Sequence, residues 1–112
     1  MESNRIQKVA RTIQREISSI LQQKISPLFS GLLTVSFVKV TADLGIARIY
    51  ITFLPDNQLK DVLLFMNENK TEIRKMLAGR LRNVVRIIPT LEFYEDDTMK
   101  VANRLDELFK GI

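Results

Sequence analysis

The sequence predicts an α+β domain in which helices pack on one face of a three-stranded mixed sheet. Three observations predict it. Apolar residues recur at steps of three and four through residues 4–25, 59–66 and 73–88, which is the period of an amphipathic helix. β-Branched and aromatic residues gather instead in three short runs, 33–41, 46–54 and 90–94, which read as strands. The helical stretch between the second and third runs acts as a crossover, so one strand pair is antiparallel and the other parallel.

The first helix spans residues 4–25. Ile6, Val9, Ala10, Ile13, Ile17, Ile20 and Leu21 form its inner stripe, and Asn4 with Gln7 has the spacing of a capping box. Pro27, Ser30 and Gly31 end it. Leu33–Thr41 and Ile46–Leu54 then form a hairpin across the short link Ala42-Asp43-Leu44-Gly45. Pro55 breaks the second strand, and Asp56 or Asn57 is the expected cap of a helix that buries Leu59, Val62, Leu63 and Met66.

No apolar residue lies between Met66 and Ile73. That gap predicts a kink, with Asn69 as the cap of the next helix and Glu72 as its return partner. This third helix is expected to run to about Ile87, with Ile73, Leu77, Leu81, Val84 and Ile88 inward and Pro89 as its stop. Thr90–Tyr94 is the third strand. Asp97 or Thr98 caps a last short helix whose inner face is Val101, Ala102, Leu105, Leu108 and Phe109. The 112 residues suit a single domain over residues 1–112, with no linker or repeat.

Composition narrows the function. The chain has no Cys and no His. Disulfides, thiolate chemistry and Ser-His or Cys-His nucleophiles are therefore impossible, and the best side chain for proton transfer near neutral pH is missing. Binding is favoured over catalysis, and no cofactor is expected. The acidic run Glu92, Glu95, Asp96 and Asp97 lacks the ligand ladder of a calcium loop and is explained by helix capping, so no metal is expected. No apolar segment is long enough to span a bilayer and the start lacks a signal peptide, so the expected location is cytoplasmic.

The formal net charge is +4, but it is unevenly spread: residues 1–89 carry 14 basic and 7 acidic side chains, and residues 90–112 carry 3 and 6. A basic body of this kind suits a polyanionic partner. Arg5, Lys8, Arg11 and Arg15 form a ridge on the first helix away from the isoleucines. Lys75, Gly79, Arg82 and Arg86 form a second line opposite the Ile73–Ile88 stripe, flanked by Arg74 and Arg80, with no carboxylate between Ile73 and Thr90. A merely solvated face would mix in glutamates to gain helix pairs. Gly79 would let a nucleic-acid backbone approach closely. Lys39 and Arg48 on the hairpin and Lys70 at the kink complete the candidate RNA-binding set. Tyr50 could stack on a base, although a half-buried strand tyrosine is the commoner role.

Nearly the whole chain resembles the ribosome-binding factor A family. The likeness is carried by Lys8-Val9 through Arg15-Glu16-Ile17, by Leu33-Thr34-Val35 through Val38-Lys39-Val40, and most specifically by Thr41-Ala42-Asp43-Leu44-Gly45-Ile46-Ala47-Arg48-Ile49-Tyr50-Ile51. Ile73-Arg74, Arg86-Ile87-Ile88-Pro89-Thr90-Leu91-Glu92-Phe93 and Asp96-Asp97-Thr98 complete it. The resemblance implies a type II KH-like fold, αββααβ, with a kinked helix pair and a short C-terminal helix. It implies binding to the free 30S ribosomal subunit and its 16S rRNA in late maturation, including 5′-end processing. One core that uses up the apolar residues and a basic face that repels its own copy predict a monomer, and the composition predicts no enzymatic activity. The alternatives are a generic KH-like RNA-binding protein and a protein-interaction module acting through a sheet edge. Two positions depart from the family pattern: its Ala-x-Gly kink reads Asn69-Lys70-Thr71, and its Asp-Pro-Arg reads Ser26-Pro27-Leu28, which removes one expected charge contact.

Overall fold

The structure is a computed structural model that describes the backbone of residues 2–98 and the side chains of residues 4–98. Its elements follow the order α1 (Glu2–Ile25), β1 (Leu32–Val40), β2 (Ile46–Leu54), a 3₁₀ turn (Asp56–Gln58), α2 (Leu59–Glu68), α3 (Lys70–Leu81) and β3 (Thr90–Glu95). The sheet order is β1-β2-β3, with β1 antiparallel and β3 parallel to β2. This is the expected α+β architecture with a mixed sheet. The expected last helix, with Val101, Ala102, Leu105, Leu108 and Phe109 inward, lies outside the described residues.

One cluster forms the core. Ile13, Ile17, Ile20, Leu21 and Ile25 of α1 meet Leu33, Val35 and Val38 of β1, Ala47, Ile49, Ile51 and Phe53 of β2, and Leu91 and Phe93 of β3. From α2 come Leu59, Val62 and Met66, and from α3 Ile73, Leu77 and Leu81. Leu63 is only partly buried at the margin. Phe29, after α1, packs edge-on against Phe53 and Phe65 with centroids 6.3 and 6.1 Å away.

Strand alternation in β1 is broken once. Val35 pairs with Ile51 but Phe37 pairs with Tyr50, so Ser36 is the extra residue of a bulge. The bulge reverses the phase: Leu33 and Val35 point inward before it, and Val38 after it. Gln14 of α1 donates its amide to the Val35 and Ser36 carbonyls at 3.2 and 3.4 Å, which ties the bulge to the helix layer.

Several boundaries differ from expectation, each for a local reason. Helix α1 begins at Glu2, so Asn4 lies in its first turn and is no cap. An Asn inside a helix costs only tenths of a kcal/mol, about 0.7 at most, and propagation outweighs it. β1 ends at Val40, one residue early, because Thr41 turns the chain: its hydroxyl donates to Asp43 Oδ1 at 2.7 Å and accepts from the Ile46 N–H. Neither Asp56 nor Asn57 caps α2; the 3₁₀ turn precedes it, and Gln58 at the cap position makes no side-chain bond.

The kink is present, but Asn69 works in the opposite sense to the expected one. It makes no side-chain cap to α3. Its Nδ2 instead donates to the Phe65 carbonyl at 2.8 Å, a second donor beside its own backbone N–H at 3.0 Å, so the residue clasps the end of α2 twice. Glu72 does not return to Asn69; it pairs with Lys24 of α1.

Helix α3 ends at Leu81 rather than near Ile87. Val84 and Val85 both donate to the Leu81 carbonyl, and the turn this makes buries Val85 in place of Val84. The β-branched residues that follow lose side-chain freedom in a helix, and Asn83 favours a turn. The guanidinium of Arg74 then anchors the returning chain, donating to the Pro89 and Ile88 carbonyls at 3.1 and 2.6 Å.

Candidate nucleic-acid interface

Helices α1 and α3 lie side by side and are joined by two ion pairs, Arg80 with Glu16 at 3.4 Å and Lys24 with Glu72. Between the two pairs the α1 position rises as the α3 position falls, so the helices are antiparallel. That register sets Arg82 level with the Gln14 turn and brings the chain after α3 toward the start of α1. Arg5, Lys8, Arg11 and Arg15 are exposed along α1, and Lys75, Gly79 and Arg82 are exposed along α3 and its end.

The two lines converge on a cleft of about 290 Å³ lined by Arg5, Val9, Leu44, Val84, Val85, Arg86 and Ile87. Three separate segments build it: the first turns of α1, the tip of the β1–β2 hairpin, and the chain after α3. Val84 and Ile87 are 66% and 64% exposed, so the cleft has apolar walls with an arginine on each side. Among the described residues, neither Arg5 nor Arg86 forms an ion pair, so both guanidinium groups are available to an anion.

The hairpin tip owes its shape to a short hydrogen-bond network. Leu44 adopts φ 60°, the left-handed region that a leucine rarely enters. Its N–H donates to the Thr41 carbonyl at 2.8 Å, and Asp43 Oδ1 accepts from the Gly45 N–H at 2.9 Å. The Thr41 hydroxyl first, and then the Gly45 N–H, hold the Asp43 carboxyl below its ordinary range. The strained turn directs Leu44 toward Arg5, which also borders a smaller recess of about 170 Å³ on the Asp43 side.

Not every predicted residue joins this surface. Arg86 lies beyond the end of α3, so it reaches the interface from the returning chain and not from a helix face. Arg80 and Arg15 both face Glu16 at 3.4 Å, the first across to α1 and the second along it, and Arg74 holds backbone carbonyls, so Arg80 and Arg74 are structural ties and Arg15 is only partly free. Lys39 and Arg48 sit on the other side of the sheet. Arg48 faces Glu92 at 3.4 Å, and Lys39 stands 5.6 Å over the Phe37 ring. Lys70 is half-buried at the start of α3; the Glu92 carboxyl is held low first by the Tyr94 hydroxyl, then by Arg48, with a smaller pull from Lys70. Val9, Leu44, Val84, Val85 and Ile87 are the lining residues that sequence reasoning missed; a helix through 82–87 would have placed Val84 inside.

Among the described residues, no three acidic groups come together as a metal cage. No described helix is long and apolar enough to cross a membrane.

Comparison with known proteins adds the following. The family model described as ribosome-binding factor A matches residues 5–109. The ribosome-binding factor A of Chlorobaculum parvum is 43% identical over 111 residues, covering 98% of this chain and 92% of that protein. The crystal structure of ribosome-binding factor A from Thermus thermophilus superposes with a TM-score of 0.69 at 22% identity, over 80% of this chain and 94% of that one. A Thermus thermophilus homology model fitted into the cryo-EM map of a 30S complex gives 0.62 at 23% identity, over 76% and 88%.

Proposed function

The chain belongs to the ribosome-binding factor A family, and on that premise we propose that it is an assembly factor that binds the free 30S ribosomal subunit through its 16S rRNA. The finer part of the reading is that it acts in late maturation, including processing of the rRNA 5′ end, in the cytoplasm and without catalysing a reaction. A chain with neither His nor Cys is suited to work by binding. It favours one RNA conformation over another and shifts the population toward the mature fold.

The observation that carries this reading is the convergence of Arg5 and Arg86, neither ion-paired among the described residues, on one cleft where the α1 and α3 basic lines meet. Phosphate neutralisation supplies affinity, and three segments held at fixed angles supply selectivity for RNA shape. Among the described residues Arg5, Lys8, Arg11, Lys75, Arg82 and Arg86 are exposed and form no ion pair, a surplus of positive charge that suits a polyanion better than a protein edge.

Co-sedimentation with immature and mature subunits tests the proposal. The wild-type chain is expected to pellet with immature subunits, and steeply less as salt rises. Arg82→Glu with Arg86→Glu should abolish pelleting while leaving the circular dichroism spectrum and thermal midpoint near wild type, since both residues are exposed. Tight pelleting by the folded double variant would remove this face from the interface.

A further inference from the structure

The described helices all pack on one side of the sheet. On the other side, strand register aligns two rungs across all three strands: Lys39, Arg48 and Glu92 in one, Phe37, Tyr50 and Tyr94 in the next. The rings of the second rung form a column. Phe37 and Tyr50 stack at 4.3 Å with 19° between planes, and Tyr50 and Tyr94 at 5.5 Å with 26°. Tyr94, on edge strand β3, closes the column and is 41% exposed.

Cross-strand aromatic pairs stabilise sheets wherever they occur, and that accounts for each pair singly. It does not account for the company the rings keep. The rung beside them holds Lys39, which has no carboxylate partner among the described residues, and Arg48, whose Nε donates to Glu92 Oε1 at 3.4 Å; the same oxygen accepts from the Tyr94 hydroxyl at 2.8 Å. On the other flank lies the Thr34–Thr52 pair, which separates the rings from the exposed Leu32–Leu54 pair at the end of the sheet. An apolar protein partner would need aliphatic neighbours directly beside the rings, and polar rungs stand on both flanks instead. Within the column the ring faces cover one another, so the outward face of Tyr94 at the sheet edge is the one that a base can continue, with cationic side chains on the neighbouring rung to meet its phosphates.

We propose that this open sheet face is a stacking platform for an unpaired base of single-stranded RNA, with Lys39, and Arg48 on release from Glu92, facing the phosphates. It rests on the RNA-binding reading above but occupies the opposite side of the sheet from the Arg5–Arg86 cleft. A base continues the column beyond Tyr94, where the edge strand leaves the ring without a neighbouring strand. A duplex cannot do so, because its bases already stack on one another.

The chain carries its own probe. It has two tyrosines, both in the column, and no tryptophan, so its intrinsic fluorescence reports on this face alone. Titration of the full chain with a short oligouridine should quench that fluorescence, and an RNA duplex of equal length should not. Tyr94→Leu should weaken oligouridine binding by roughly 5- to 150-fold, the loss of one stacked base, and Tyr94→Phe should restore it. Acrylamide should quench the tyrosines of the RNA-free protein. Shielding from acrylamide would mean that the chain's own residues 99–112, a second copy or another part already covers the face, and would overturn the proposal. So would equal quenching by the duplex, or unchanged affinity in a folded Tyr94→Leu variant. The two readings fail separately: a chain that pellets with subunits but shows no oligouridine quench refutes the platform alone. Quenching by a chain that never pellets with subunits refutes the subunit reading and leaves the platform standing.

Discussion

Replacing Gly79 by Ala should raise stability and lower subunit binding at once. Gly79 lies in the last turn of α3, is exposed, and has no heavy atom within 4 Å of the position a Cβ would take. The added methyl therefore meets nothing, and the backbone already has helical geometry. The gain is the difference in helix propensity, about 0.5–1 kcal/mol. In a domain of this size that corresponds to a rise of roughly 2–4 °C in the thermal midpoint. Binding should move the other way. Gly79 sits between Lys75 and Arg82 on the exposed line of α3, where a phosphate backbone drawn to those cations would approach the bare Cα. Thermal unfolding by circular dichroism and co-sedimentation with immature subunits read the two effects on one sample. Because they have opposite signs, loss of fold cannot imitate the result. No rise in midpoint would show that position 79 is not helical, and a rise with undiminished binding would take Gly79 out of the contact surface.

Gly31→Ala should have the contrary effect, because its Cβ would fall 2.2 Å from the Leu54 carbonyl oxygen and 2.6 Å from the Phe53 ring. A backbone oxygen cannot step aside as a side chain can, so a loss of about 1–3 kcal/mol is expected in urea unfolding. Asn69→Ala should lose about 0.5–1 kcal/mol by removing the second of two donors to the Phe65 carbonyl, which keeps the backbone N–H of residue 69. Amide exchange should then speed up at the end of α2 more than at the start of α3; faster exchange confined to α3 would restore the N-cap role. The lowered Asp43 pKa makes the hairpin tip acid-sensitive. A carboxyl whose folded value lies below its unfolded value, about 3.9, adds stability above that pH and loses it as pH falls through the folded value. The midpoint difference between wild type and Asp43→Asn should therefore be steady near neutrality and close below about pH 4. A difference unchanged at pH 3 would disprove the role of the charge.

Much of the fold was legible in the sequence because its causes are local. The isoleucine period of α1, the alternation in β2 and the polar gap before Ile73 are statements about neighbours in the chain, and each element formed where they pointed. Helix ends were less legible. Whether α3 stops at Leu81 or runs on to Ile87 depends on Arg74 holding the Ile88 and Pro89 carbonyls, a contact across 14 and 15 residues. Likewise the spacing of Asn69 suits either helix it joins, and only the packed corner decides that its amide serves α2.

The candidate site divides along the same line. Sequence alone determined which cations exist and which lie away from an apolar stripe, because charge and helical period need no partner. Tertiary structure decided which of them are free. Pairing with Glu16 withdraws Arg80, backbone carbonyls withdraw Arg74, and the sheet puts Lys39 and Arg48 on a separate face beside the aromatic column. The cleft between Arg5 and Arg86 had no signature in the chain, since its walls lie near opposite ends of the described residues and meet only because α1 and α3 pack antiparallel. The physical reason is general: periodicity fixes which way a side chain points from its own element, while distance between elements is set by burial of the shared core.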